Sequence, residues 1–197
     1  MSIKKEIDRA VKRIAALDKS TAPKTPIELE RIITDVEESY RSAKYDFSNA
    51  TSMTLSQNGK KRLVKQYDDL YSSENVLCHC IKQILDRVFK IKYPNRNRIS
   101  RDLFSTLSAT IQMSDFTIVR VDFKQYFNSI SSIYVFEKYL KNDLSNRYEM
   151  DLVKAFVSST KYAYAGLCTS NAIAEIIAKR TVAKLEGILP LCAQQKI

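Results

Sequence analysis

Apolar positions in the first part of the chain recur at helical intervals. Ile3, Ile7, Val11, Ile14 and Leu17 fall on one stripe, which predicts a helix over Ile3–Leu17. A second helix carries its own start signal. Thr25 can cap it, Pro26 suits its first turn and Glu28 completes a capping box. Its pattern runs to about Tyr45. Phe47–Lys60 (FSNATSMTLSQNGK) is polar and reads as a loop. Helical spacing resumes over Lys61–Tyr71 and Glu74–Ile91, until Pro94 in YPNRNR disfavours helix at Tyr93. A short helix is expected over Ser100–Ile111. The texture then changes: Phe116–Val121 (FTIVRV) is β-branched and apolar, the signature of a buried strand. Helices follow over Ser132–Leu140, Arg147–Ser159 and Asn171–Leu189. The pattern predicts an α+β chain, with a helical amino-terminal region over 1–92 and a mixed portion over 93–197. Only three glycines occur, which favours helix over a turn-rich β fold.

Composition sharpens this picture. A hydrophobic fraction of 45% in 197 residues is enough for a packed core. Lys and Arg number 32 against 22 Asp and Glu, a net charge of +10 that suits a polyanion such as nucleic acid. Charges run throughout Met1–Asp18, unlike a secretory leader, and no apolar run reaches the length of a membrane span. A cytoplasmic setting without membrane contact is expected, with Cys78, Cys80, Cys168 and Cys192 reduced. Cys78-His79-Cys80 invites a zinc reading. On a helix, however, the two thiols would point about 200° apart, and no second pair follows. His79 is the only histidine, so Ser-His-Asp chemistry has little support. Neither a Walker loop nor a dinucleotide glycine fingerprint occurs.

The candidate chemistry lies around Asp122. A carboxylate at the end of a buried strand points from a rigid element into a cleft, which suits a hard cation such as Mg2+. The segment Asp122-Phe123-Lys124-Gln125-Tyr126-Phe127-Asn128-Ser129-Ile130 resembles motif A of bacterial reverse transcriptases. Downstream, Gly166-Leu167-Cys168-Thr169-Ser170-Asn171-Ala172-Ile173-Ala174-Glu175-Ile176 resembles motif B of the same family, with Cys168 where the family often has proline. The likeness spans roughly residues 75–189 and is nearest to reverse transcriptases of retrons, abortive infection and anti-phage defence. It implies the fingers and an incomplete palm of a right-hand RNA-directed DNA polymerase. It also implies that Asp122 and the Phe123 carbonyl hold two Mg2+ ions (or Mn2+), and that Phe127 is a steric gate against the ribose 2′-hydroxyl. Gly166, Thr169 and Ser170 would shape the floor under the incoming nucleotide, and Arg96, Arg98 and Arg101 would meet phosphate or template. The partners so implied are an RNA template, a DNA or protein primer and deoxynucleoside triphosphates.

Two-metal catalysis needs more than one carboxylate. The family places the others in a Tyr-x-Asp-Asp hairpin after motif B, and none occurs between Leu189 and Ile197. On this reading the 197 residues alone are inactive, and a further segment or chain supplies the dyad. Tyr67-Asp68-Asp69-Leu70 is a poor substitute. Leu63, Tyr67, Leu70 and Tyr71 make a helical apolar stripe that leaves both carboxylates facing solvent. The alternative to the enzyme is a non-catalytic basic module, derived from a polymerase fold, that binds nucleic acid or protein.

Overall fold

The computed structural model describes residues 2–20, 22–57, 59–113, 115 and 125–194, and the side chains of 57, 60, 182 and 184–194 are not among those described. Helix α1 spans Ile3–Leu17, as its stripe predicts, and buries Ile7, Ala10, Val11 and Ile14. Helix α2 (Pro26–Arg41) opens with the expected capping box, with Glu28 accepting from the Thr25 backbone N–H at 2.7 Å. It ends before Tyr45, because Ala43 turns left-handed (φ 52°) and the Lys44 N–H reaches back to the Ser39 carbonyl. Helix α3 (Ser73–Val88) is capped by the Ser72 hydroxyl and ends in a similar way, at Lys90 (φ 47°). Helix α4 (Arg96–Thr110) starts four residues earlier than its apolar pattern suggests, because the Asn95 side chain accepts from the Asn97 and Arg98 N–H groups.

The largest departure from the sequence pattern lies between α2 and α3. Residues 47–60 do not form a plain loop, nor residues 61–71 a helix. Strands β1 (Thr51–Gln57) and β2 (Lys60–Gln66) pair antiparallel, from Thr51 opposite Gln66 to Gln57 opposite Lys60. That register leaves two residues between the strands, and Gly59, just before β2, has φ 72°. Asn-Gly is the strongest short hairpin signal, since such turns need positive φ.

After the residues that are not described come two short helices, α5 (Tyr126–Ser129) and α6 (Ser132–Val135), and then a π turn at Phe136–Leu140. Helix α7 covers Arg147–Ser159, and α8 covers Cys168–Gln194, starting three residues ahead of its expected beginning. Among the described residues the chain is therefore mostly helical, with one small antiparallel sheet. The expected strand at Phe116–Val121 lies outside the described residues.

Helix α3 is the centre of the core. It packs against α1, α2, α7 and α8, so Val76, Leu77, Cys78, Cys80, Ile81, Ile84 and Leu85 are all buried. Each such aliphatic side chain contributes roughly 1.5–3 kcal/mol on burial. One apolar cluster runs from Ile7 to Ile176, joining residues on both sides of position 92. An ion-pair network ties three of these helices together. Arg87 on α3 donates to Glu6 on α1 (3.0 Å) and to Glu149 on α7 (2.9 Å). Both carboxylates are 1% exposed. Glu149 also accepts from Asn146 and Tyr148, so it is well satisfied. Among the described residues no helix is long and apolar enough to cross a membrane.

Candidate nucleic-acid interface at the Gly166 turn

The segment leading into α8 is held on both sides by backbone hydrogen bonds. On one side Tyr162 bridges Ser131, and the Ala163 N–H donates to the Ile130 carbonyl (3.0 Å). On the other, the Lys65 N–H of β2 donates to the Ala165 carbonyl (2.8 Å). Gly166 then adopts φ 100°, where a Cβ would overlap the Lys65 carbonyl oxygen and the Val64 Cγ1. What approaches this glycine in the structure is β2. The missing Cβ lets the hairpin dock against the start of α8.

Helix α8 begins at Cys168, so Thr169 and Ser170 lie within its first turn and neither holds the capping position. The Ser170 hydroxyl donates to the Tyr164 carbonyl and staples the turn. Thr169 is fully buried, and its Oγ1 has no hydrogen-bond partner among the described residues.

Beside this turn lies a cavity of about 280 Å³. Gln66, Tyr67, Asp68 and Leu70 line it from the end of β2 and the segment after it, Asn75, Cys78 and His79 from α3, and Gly166–Cys168 from the turn into α8. Tyr67 donates to the Phe47 carbonyl (3.0 Å), and burial raises its hydroxyl well above the usual range. Burial, helped by Arg13 and Lys82, lowers His79 to about 4, so its ring is neutral near pH 7. The half-buried Cys168 thiol is pushed up to about 12 by burial, and the core thiols of Cys78 and Cys80 also rise, which favours the protonated form near pH 7.

Tyr67-Asp68-Asp69-Leu70 needs correction on the same ground as the hairpin. It is an irregular segment following a strand, not a helix turn. Asp68 accepts from the Thr51 hydroxyl (2.9 Å), and Asp69 accepts from the Tyr71 N–H (2.8 Å). These carboxylates hold the chain where the hairpin joins α3. Both carboxylates are exposed, as expected, but on an irregular segment, and Asp68 lines the same cavity as Gly166.

The remaining candidates are dispersed. Asp122 and Phe123 lie outside the described residues. Phe127 is half-buried on α5, its ring 5.7 Å from that of Tyr126. The Tyr126 hydroxyl donates to the Ala174 carbonyl (2.9 Å), which sets α5 beside α8. Arg96, Arg98 and Arg101 are exposed on α4, a helix with no buried residue, and none of them lines the cavity. Arg98 spends part of its charge on Asp102 (3.7 Å). Among the described residues no group of three or more His, Cys, Asp or Glu is disposed to hold a metal ion. A metal site at Asp122 thus has no described geometry, and no reaction step is built on one.

The sequence reading passes over a basic and aromatic surface formed across these junctions. The Lys65 ammonium lies 4.3 Å from the Tyr164 ring centre, and that of Lys161 lies 5.3 Å from Tyr162. Lys138 sits over Tyr134 and Tyr139 at 5.1 and 5.5 Å. Compared with known proteins, the chain matches no family model, no curated protein and no solved structure.

Proposed function

We propose that this chain is the fingers and part of the palm of a reverse transcriptase-type RNA-directed DNA polymerase. The observation that carries the reading is a pair of motif-like segments in the family's order. Asp122–Ile130 comes first and Gly166–Ile176 second, the latter beginning at a glycine with φ 100°. In this proposal Asp122 and the Phe123 carbonyl are the Mg2+ ligands, and Phe127 excludes the ribose 2′-hydroxyl. Gly166, Thr169 and Ser170 support the nucleotide floor, and Arg96, Arg98 and Arg101 meet phosphate. RNA template, primer and deoxynucleoside triphosphates are the proposed partners. The likeness to retron and abortive-infection enzymes makes cytoplasmic anti-phage defence the proposed setting.

Primer extension on an RNA template, with the protein in its full natural reading frame, tests this. Extension with deoxynucleotides that is abolished by Asp122→Ala is expected. Extension unchanged by that substitution overturns the assignment. A non-catalytic nucleic-acid-binding module is the second reading, favoured by the net charge of +10 and the Lys–Tyr surface, neither of which needs a carboxylate set. It is the better account if the protein binds oligonucleotide and extends nothing.

A further inference from the structure

We infer that Lys65, Tyr164, Tyr162 and Lys161 form a stacking platform for single-stranded nucleic acid, outside the motif-like segments. The inference rests on the nucleic-acid reading above but not on polymerase chemistry. The four side chains come from two distant parts of the chain, brought together by the Lys65–Ala165 hydrogen bond. They form a continuous row, the two rings flanked by the two lysines. Lys65 lies over Tyr164 at 4.3 Å, the Tyr164 and Tyr162 ring centres are 5.9 Å apart and nearly perpendicular, and Lys161 lies over Tyr162 at 5.3 Å. Among the described residues neither lysine is in an ion pair, although nine such pairs form elsewhere. Their charge is therefore uncommitted.

The backbone explains why the platform is rigid. The segment carrying both tyrosines is pinned to Ile130 and Ser132 on one edge and to β2 on the other. Rings held this way lose little entropy when a base stacks on them. Stacking on an aromatic is worth more than the exposed ammonium contact it displaces, and the freed lysine can then meet the phosphate of the same nucleotide. Bases in a duplex are already stacked and cannot offer a face without unpairing. An acidic peptide would use the lysines, but would gain nothing specific from two tyrosines.

Fluorescence anisotropy with a labelled oligo(dT) and an oligo(U) tests the platform. Tyr162→Ala should weaken binding about 5- to 160-fold, the range for loss of one stacked base, whereas Tyr162→Phe should retain binding within about 2-fold because the ring persists. Tyr162 lies outside the apolar core cluster, so its removal leaves the fold intact; Tyr164→Ala, with its melting checked, provides the second variant. Lys65→Gln with Lys161→Gln should flatten the slope of log affinity against log salt by about 1.4, at roughly 0.7 per phosphate contact on a single strand. Four results overturn the inference. These are binding unchanged in both tyrosine variants, equal loss in Tyr162→Phe and Tyr162→Ala, equal affinity for the matching duplex, and a poly-glutamate peptide bound with the same tyrosine dependence. Of these, unchanged binding in the variants leaves the nucleic-acid reading standing. Absence of binding by the unaltered protein removes both.

Discussion

Substituting Gly166 with alanine tests the docking of the hairpin on α8. At φ 100° an L-residue is strained, and held strain of this kind costs about 1–3 kcal/mol. The new Cβ would also overlap the Lys65 carbonyl oxygen and the Val64 Cγ1, with the Lys65 carbonyl carbon at 3.2 Å. Overpacking costs about 1–3 kcal/mol more. The expected loss is therefore about 2–6 kcal/mol, a large share of the roughly 5–15 kcal/mol that holds a domain together. In urea, with a slope of about 2 kcal/mol per molar, the midpoint followed by far-UV circular dichroism should fall by about 1–3 M. Gly59→Ala is the control. Gly59 also has positive φ (72°), but nothing lies within 4 Å of its would-be Cβ. Only the conformational penalty of about 1–2 kcal/mol applies there. Adding Val64→Ala to Gly166→Ala should recover only part of the loss, because the Lys65 oxygen is backbone and cannot be trimmed away. Equal midpoint shifts for Gly166→Ala and Gly59→Ala would refute the reasoning, as would full recovery on trimming Val64.

Removing Arg87 probes the network joining α1, α3 and α7. Arg87→Ala leaves Glu6 and Glu149 buried without their shared cation, and the cost should fall near the lower end of about 3–5 kcal/mol, since Arg87 itself is 40% exposed. The sign with pH is fixed by Glu149. Burial raises its pKa, but hydrogen bonds from Asn146, Arg87 and Tyr148 outweigh this and hold it below the ordinary 4.5. The stability it contributes is thus present above about pH 4.5 and is lost as pH falls through its lowered value. Thermal melts should show the gap between Arg87→Ala and the unaltered protein narrowing below that pH, and a constant gap would contradict the assignment. At the start of α2, Thr25→Ala removes the hydroxyl that accepts from the Glu28 N–H, while the residue 25 backbone N–H can still donate to the Glu28 carboxylate, and should cost about 1 kcal/mol, read as a drop in melting temperature of a few degrees. No drop would mean that packing alone holds this end.

Local chemistry made much of the helical frame legible. The stripe from Ile3 to Leu17 and the Thr25–Pro26–Glu28 signal each set a helix within a few residues of sequence, and the 147–159 helix was equally plain. The hairpin was less so. Asn58-Gly59 signals it, while the spacing of Leu63, Tyr67, Leu70 and Tyr71 points to a helix. Only pairing with Thr51–Gln57 decides between the two, and pairing is not a local property. The same holds for the site. Gly166 was visible as a turn residue, but that β2 fills the space beside it depends on a strand a hundred residues earlier. Glu6 and Glu149 could be buried only because Arg87, 81 and 62 residues away, meets them both. By itself, then, the sequence determined the starts of α1, α2 and α7, the basic charge and the motif-like segments, because caps, periodicity and composition act over a few residues. The tertiary structure alone decided which strand Gly166 admits, which carboxylates can be buried and which lysines meet which tyrosines, because those depend on partners the chain brings together only when it folds.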